Sequence, residues 1–322
     1  MDNHMYSRIT GTGSFLPKKI LTNQDLERIV DTTDEWIIER TGIKKRHIAV
    51  DETTCDLAEE AAKNAIEMSG KKVADIDLIL VATTTADEGF TSTANLLQTR
   101  LNIPSCTAFD IQAVCTGFVY ALSIADKFIK SGSHKCALVI GAETFSKIID
   151  WTDRTTCVLF ADGAGAVVLE SSEEPGILST HIHADGAYED LLKVDGGYTT
   201  ELKREADAYV TMKGNEVFRM AVKTLGRIVD ETLAANNMQK SDVDWLVPHQ
   251  ANVRIINATA KKLKLSTDHV VITVQDHGNT SAASIPLALD TAVRDGRIKR
   301  GEVILLEGFG GGFTWGTALV KF

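Results

Sequence analysis

CTAFDIQAVCTGFVYALSIADKFIKSGSHKCALVIGAE, residues 106–143, reads as strand, turn, helix and strand in succession. CTAFDIQ (106–112) is a short β-rich run, ALSIADKFIKSG (121–132) repeats its apolar positions at helical spacing, and KCALVIGAE (135–143) is apolar almost without a break. Upstream, ADIDLILVATT (74–84) has the same character. Apolar strands of this kind are covered on both faces, and their alternation with amphipathic segments predicts an α/β chain. Its functional site is expected at strand ends and helix starts.

The pattern recurs further along. DLAEEAAKNAIEMSG (56–70) precedes ADIDLILVAT as RMAVKTLGRIVDETLAANN (219–237) precedes SDVDWLVPHQ (241–250), which sets Asp77 against Asp244 at a spacing of 167. HKCALVIGAE (134–143) matches RGEVILLEGF (300–309) at a spacing of 166, His134 against Arg300. Any two αβ units share some of this pattern, but two matching spacings in the same order favour a duplication, with halves at 1–172 and 173–322. No Pro/Gly/Ser linker separates them, so one packed unit is expected. GAYEDLLKVDGGYTTELKREADA (186–208) has no clear period and is expected to be a surface excursion, a lid or a partner contact.

With 322 residues, 44% of them hydrophobic and five of them proline, the chain can bury a large core and lacks the bias of a disordered one. A formal net charge of −10 argues against nucleic-acid binding over the whole surface, so an anionic partner must meet a local basic patch. No apolar run approaches the ~20 residues that span a bilayer, and MDNHMYSRIT lacks the apolar stretch of a secretory signal. A cytoplasmic protein without membrane contact is expected. Cys55, Cys106, Cys115, Cys136 and Cys157 form no C-x-x-C pair, which speaks against a disulfide framework and a zinc ribbon.

Cys115 sits where a short apolar strand runs into Thr116, Gly117 and a helical segment. There a thiol meets the positive end of the helix dipole and unpaired backbone N–H groups, which favour thiolate and could hold an oxyanion; the other reading is an inert buried cysteine. His249 ends VDWLVPHQ, ahead of a helix beginning near Asn252, and is placed for acid–base or hydrogen-bond work or for a structural bond. Asn279, in DHGNTSAASIPLALD, suits a helix cap; in duplicated halves it also stands near the position equivalent to Cys115. Gly310, Gly311 and Gly312, between two aromatics, suggest a backbone N–H facing a ligand. The run lacks the Lys-Ser/Thr of a P-loop, and GTGSFL (11–16) lacks the third glycine of a dinucleotide fingerprint.

Taken together, DEWI-x-x-RTGI-x-x-RHIA (34–49), the Cys115 turn, TDR (152–154), DGAGAVVL (162–169), GNEVF (214–218), HQAN-x-RII (249–256), HGNTSAASIP (277–286) and FGGGFTWG (309–316) resemble the 3-oxoacyl-acyl-carrier-protein synthase III enzymes of the thiolase-like superfamily over nearly the whole length. The resemblance implies a five-layered αβαβα fold of two halves related by a pseudo-dyad, and a cytosolic homodimer. It implies that Cys115 takes an acyl group from acyl-CoA, acetyl-CoA foremost. Malonyl-acyl-carrier protein then loses carbon dioxide and attacks the thioester, which starts fatty-acid synthesis. His249 and Asn279 would donate to the malonyl thioester oxygen, and the backbone N–H groups of Cys115 and Gly311 would bind the tetrahedral oxyanion. CoA is a substrate; no metal or redox cofactor is implied.

The same resemblance implies that Trp36 and Arg154 stack on the adenine of CoA, while Arg40, Gly214, Phe218 and Asn252 line its channel. Trp36 and Arg40 are four apart on a short helix expected to open with a capping box of Thr32 and Glu35. HQANVRIINATAKKLK (249–264) carries Arg254, Lys261, Lys262 and Lys264 and no acid. Arg219, Arg254, Lys261 and Lys262 are the expected docking patch for the acidic carrier protein, against the alternative of an ordinary solvated face. Phe90 is expected to close the partner's acyl pocket. Thr116 stands where the family commonly has Ala or Ser, and Gly308 where EAFGGG is usual, which leaves the shape of the acyl pocket open.

Three rivals compete. A synthase of quinolone or ketide secondary metabolites would use the same triad on another acceptor. A cysteine hydrolase shares the chain order Cys, His, Asn but lacks the C-G-S-C-W signature. A non-catalytic scaffold has no use for an intact triad.

Overall fold

The computed structural model describes residues 5–195 and 209–322. The apolar runs become inner strands of two sheets. The first sheet holds β1 (Tyr6–Phe15), β2 (Leu78–Ala82), β3 (Thr107–Ile111), β4 (Cys136–Thr144) and β5 (Asp162–Ser172) in the order β1-β5-β4-β2-β3. β4, β2 and β3 run parallel, with β5 and β1 joining as antiparallel pairs. The second holds β6 (Ile177–Ala184), β7 (Trp245–Pro248), β8 (Val303–Gly310) and β9 (Thr314–Lys321) in the order β6-β9-β8-β7, with a parallel bridge from Leu246 to Val270 beyond β7. Order and direction correspond strand for strand, so the duplication is present in the topology.

One register differs from the sequence expectation. The Asp77 N–H donates to the Cys136 carbonyl and its carboxylate accepts from the Cys136 N–H; Asp244 makes the same two bonds with Val303. Cys136 and Val303 are 167 apart, so setting His134 against Arg300 is one residue off. A one-residue slip turns a strand inside out; with 167, Leu138 and Leu305 both face outer layers.

Five layers follow. α2 (Thr54–Ser69) and α3 (Thr93–Arg100) cover the outer face of the first sheet, α4 (Gly117–Lys130) and α7 (Ser284–Arg294) lie between the sheets, and α5 (Gly214–Ala235) and α6 (Val253–Leu263) cover the second. β2 explains the unbroken apolar run: Leu78, Leu80 and Ala82 pack on Phe118 and Leu122 in the central layer, while Ile79 and Val81 pack on Ala58 and Ala62 outside. Both faces of the strand are core.

α1 (Asp34–Thr41) is capped by Thr33, whose side chain accepts from the Trp36 N–H. The expected Thr32–Glu35 capping box is absent, and the buried Thr32 Oγ1 has no partner among the described residues. The segment read as an aperiodic surface excursion begins with a 3-10 stretch at Gly186–Leu191, and Leu192–Val194 pairs antiparallel with Val210–Met212. Residues 196–208 of that segment lie outside the described residues. Among the described residues no helix is long and apolar enough to cross a membrane.

The central helices start from matching turns. Val114–Thr116 leads into α4 and Ser281–Ala283 into α7, and each turn opens on a non-glycine residue at positive φ, Val114 at 46° and Ser281 at 48°. These are again 167 apart. Ala282 is therefore the counterpart of Cys115, and Asn279 stands three residues upstream of that counterpart.

Candidate active site

Cys115, His249 and Asn279, from three separate elements, line one cavity of about 460 Å³. Cys115 occupies the turn ahead of α4, as its strand-to-helix setting requires. It is 3% exposed, and burial pushes its thiol up to about 12, against a lowering by the Ser281 hydroxyl and the local backbone. The expected stabilisation of thiolate is thus outweighed at rest: the helix start is in place, but desolvation is larger. The glycine run has a visible reason, since a Cβ on Gly310 would stand 2.8 Å from the Cys115 nitrogen. Gly311 lines an adjoining hollow with Val114.

His249 follows β7, with its N–H held by the Glu307 carbonyl at 2.8 Å. Its Nδ1 lies 2.5 Å from Ser284 Oγ, the first residue of α7. Ser284 Oγ accepts the Gln250 N–H and keeps its own proton for Nδ1; in the tautomer that takes this bond, Nε2–H is the donor into the cavity. Burial lowers the imidazole pKa to about 3. At neutral pH His249 is an uncharged donor and a poor base.

Asn279 is fixed at both ends of its peptide, its N–H donating to Leu159 O and its carbonyl accepting from Ala161 N–H. Its Oδ1 accepts from the Ser281 N–H at 2.9 Å. The side chain is therefore both an Asx cap and a wall of the cavity, with the Nδ2 amide as the end left over.

The outer cavity is ringed by Trp36, Arg40, Arg154, Gly214, Phe218, Asn252 and Arg254. The Trp36 ring carries Arg154 at 5.0 Å and Arg40 at 5.9 Å from its centroid, and Arg254 lies 5.1 Å from the Phe218 centroid. Asn252 caps α6 and ties it to α1 through a bond from Nδ2 to Arg40 O. Arg40, Arg154 and Arg254 have no ion-pair partner among the described residues, so the mouth is cationic on a chain of net charge −10.

Other expected residues lie elsewhere. Arg219 is near Glu216 at 3.6 Å, Lys262 pairs with Asp230 at 2.7 Å, and Lys261 is exposed on α6. Phe90 is 91% exposed and does not line the cavity of its own chain. Neither Thr116 nor Gly308 lines it either; Thr116 is fully buried and donates to Thr314 O. The sequence reading missed Leu192, Met212, Leu225 and Phe309, which make the apolar wall, because nothing separates them from ordinary core residues. It also missed Ser284, whose partner is 35 positions away. Among the described residues no group of three or more His, Cys, Asp or Glu side chains could hold a metal ion.

Residues 109–186 match the family described as 3-oxoacyl-[acyl-carrier-protein] synthase III, and residues 233–322 match its C-terminal family. A β-ketoacyl-[acyl-carrier-protein] synthase III of Thioalkalivibrio sulfidiphilus is 68% identical across 98% of this chain and 99% of its own; one of Alkalilimnicola ehrlichii is 61% identical with the same coverage. Among solved structures, the 3-oxoacyl-[acyl-carrier-protein] synthase III of Aquifex aeolicus superposes with a TM-score of 0.94 at 49% identity, covering 98% of this chain and 100% of that one.

Proposed function

The chain belongs to the 3-oxoacyl-[acyl-carrier-protein] synthase III family, and from that premise we propose that it joins a short acyl-CoA, acetyl-CoA foremost, to malonyl-acyl-carrier protein by way of an acyl-Cys115 intermediate. It is an acyltransferase of the condensing type that initiates fatty-acid synthesis. Relatives at 58–68% identity carry the synthase III name, whereas the R1128 polyketide priming synthase is 36% identical. The secondary-metabolite alternative is the weaker for that reason.

The observation that carries the assignment of roles is the meeting of one thiol with two uncharged donors, His249 Nε2 and Asn279 Nδ2, in one cavity. In the first half-reaction Cys115 sulfur attacks the acyl-CoA carbonyl and CoA leaves. The backbone N–H groups of Cys115 and Gly311 take the oxyanion in this reading. In the second, His249 and Asn279 donate to the malonyl thioester oxygen, so that the enolate left by loss of carbon dioxide is held by fixed dipoles in a dry site. Because His249 stays neutral far below physiological pH, it supports that enolate as a hydrogen-bond donor without titrating. The carbanion then attacks acyl-Cys115 and releases the 3-oxoacyl-carrier protein. The chemistry calls for no metal or redox group.

CoA would enter by the cationic mouth, with Trp36 and Arg154 on the adenine and Arg40, Gly214, Phe218 and Asn252 along the pantetheine path. Arg254 and Lys261 lead the docking patch for the carrier protein, since Arg219 and Lys262 have intramolecular acids. A homodimer is supported by β3, an edge strand that is only half-buried, and by Phe90, whose exposure suits insertion into a partner. Halves at 1–172 and 173–322 and a cytoplasmic setting complete the proposal.

Intact mass spectrometry tests it. Wild type mixed with acetyl-CoA should gain one acetyl group that Cys115→Ala does not, and should lose it to malonyl-acyl-carrier protein as 3-oxoacyl-carrier protein forms. Failure to load, or loaded enzyme inert towards the malonyl carrier, overturns the reading.

A further inference from the structure

The steps above leave the thiol proton of Cys115 without a destination, because His249 is too weak a base to take it. One buried group is unused. Glu143 lies on β4 two residues after Gly141, so the two share a face of the strand. Gly141 is pressed onto the turn ahead of α7, where an added Cβ would come within 2.3 Å of the Ala282 carbonyl oxygen. Glu143 is fully buried beside that turn. Its carboxyl accepts from the Thr85 hydroxyl at 2.6 Å and the Thr84 N–H at 3.1 Å, with Thr83 Oγ1 at 3.3 Å. No cation pairs with it among the described residues.

Ser281 opens the turn that meets both neighbours: a Cβ on Gly141, on the Glu143 strand, would stand 2.3 Å from the Ala282 carbonyl oxygen, and a Cβ on Gly117, two residues after Cys115, would stand 3.4 Å from Ala282 Cβ. The Ser281 side chain is fully buried, its backbone is held at positive φ, and its Oγ closes no well-formed hydrogen bond within the described residues. Yet the hydroxyl acts on two groups at once, lowering the pKa of both the Cys115 thiol and the Glu143 carboxyl. An unsatisfied buried hydroxyl on the turn that adjoins both the Glu143 strand and the start of α4 is unfavourable as a packing element and suited to passing a proton.

We propose that Glu143 is the terminal proton acceptor for Cys115, reached through the Ser281 hydroxyl. As sulfur attacks the acyl-CoA carbonyl, the S–H proton passes to Ser281 Oγ while the Ser281 proton passes to the Glu143 carboxylate. The bond from the acyl carbon to the CoA sulfur breaks, and CoA departs as a thiolate that takes a proton from water. The acyl-enzyme then holds a protonated Glu143. When the carbanion from the malonyl carrier displaces Cys115, the thiolate recovers the proton by the same path and Glu143 is ionised again. The cycle closes with no oxidant, reductant or further base.

The acceptor is matched to the task. Burial raises the Glu143 pKa to about 7, near where an acid–base group works best at neutral pH. The groups that act on the Glu143 carboxyl are the Thr83 and Thr85 hydroxyls, the Thr84 backbone, the Ser281 hydroxyl and the Ala282 backbone, none of which titrates, and its charge in turn acts on Cys115.

This inference rests on the reading of Cys115 as the acylated nucleophile, and the test separates the two. The rate of acetyl transfer from acetyl-CoA to Cys115 is followed by intact mass between pH 5.5 and 9 in wild type, Glu143→Gln and Ser281→Ala. Wild type should show an inflection near pH 7. Both variants should lose the inflection and load at least about tenfold more slowly at pH 7.5, in keeping with general-base catalysis, while decarboxylation of malonyl-acyl-carrier protein, which uses His249 and Asn279, changes little. That retained half-reaction certifies the fold; should Glu143→Gln fail to fold, Ser281→Ala, which leaves Glu143 and its threonine bonds in place, decides alone. Variants loading at the wild-type rate with the inflection intact overturn the relay. Wild type that never loads at Cys115 overturns the parent reading and the relay with it.

Discussion

A Cβ on Gly308 would stand 3.3 Å from the Cα of Thr116 and 3.4 Å from the Cys115 carbonyl oxygen. The two positions where the sequence departs from the usual family pattern are thus in contact, directly behind the nucleophile. The near atoms are backbone, so the Thr116 side chain does not decide whether residue 308 can grow. That side chain has its own bond, from Oγ1 to Thr314 O at 3.1 Å.

Gly308→Ala should shift the Cys115 turn by a few tenths of an ångström, slow acetyl loading several-fold and destabilise the protein by about 1 kcal/mol or more, as small overpacking does. Adding Thr116→Ala should not rescue it and should remove a further ~1 kcal/mol with the lost hydrogen bond. Thermal melts and loading rates of the single and double variants check this; full rescue by the second change would show that the side chain, not the backbone, is the obstacle.

Ser284→Ala removes the donor that holds His249 Nδ1 while leaving the imidazole in place. The free ring can then adopt the other tautomer, in which Nε2 is an acceptor. Malonyl-carrier decarboxylation should fall about tenfold, less than the 10²–10³ expected for losing an oxyanion donor outright in His249→Ala. Acetyl loading of Cys115 should stay near wild type in both. Equal losses of loading and decarboxylation would mean that Ser284 merely supports the fold.

The layers were legible because each left a period or an unbroken apolar run, and Asp77 with Asp244 fixed the duplication through bonds that both halves repeat. The 166 spacing failed for a local reason: apolar strands slide past one another without changing composition, and only the paired bonds to Cys136 and Val303 set the register. Cys115 and His249 could be found because each follows a strand, and Asn279 because Gly278 and the Asn-Thr-Ser run mark a tight turn into a helix. What could not be read is tertiary and electrostatic. Ser281, Ser284 and Glu143 are ordinary letters until folding brings them to the turns, and the helix start at Cys115 gives no hint that burial will outweigh it.

Glu307 invites a measurement of stability against pH. It is fully buried on β8, neither carboxyl oxygen has a well-formed bond among the described residues, and burial raises its pKa from 4.5 to about 8. Below about pH 4.5 both folded and unfolded chains hold the proton. Between 4.5 and 8 the unfolded chain loses it and the folded chain keeps it, so this group makes stability fall as pH rises, by a few kcal/mol at ~1.4 kcal/mol per pH unit. Glu307→Gln should flatten that part of the profile in denaturant titrations from pH 5 to 8.5. Parallel profiles would mean that Glu307 ionises freely.

Carrier-protein docking should divide the basic residues by their partners. Arg254 sits at the cavity mouth over Phe218 and Lys261 projects from α6, both without an acid among the described residues, whereas Lys262 is 2.7 Å from Asp230. Reversing a free charge at a docking rim acts on encounter rate and register more than on the chemical step. Arg254→Glu and Lys261→Glu should therefore raise KM for malonyl-acyl-carrier protein about tenfold, equivalent to ~1.4 kcal/mol, with kcat little changed and the defect shrinking at high salt. Lys262→Glu should have the smaller effect on KM, because in wild type part of its charge is already neutralised by Asp230, and should lose some stability from the like-charge contact. KM for acetyl-CoA separates the two surfaces: Lys261→Glu should leave it unchanged, while Arg254→Glu, at the rim both substrates share, should raise it too. If all three variants bind the carrier protein as wild type does, the patch is a solvated helix face and docking lies elsewhere.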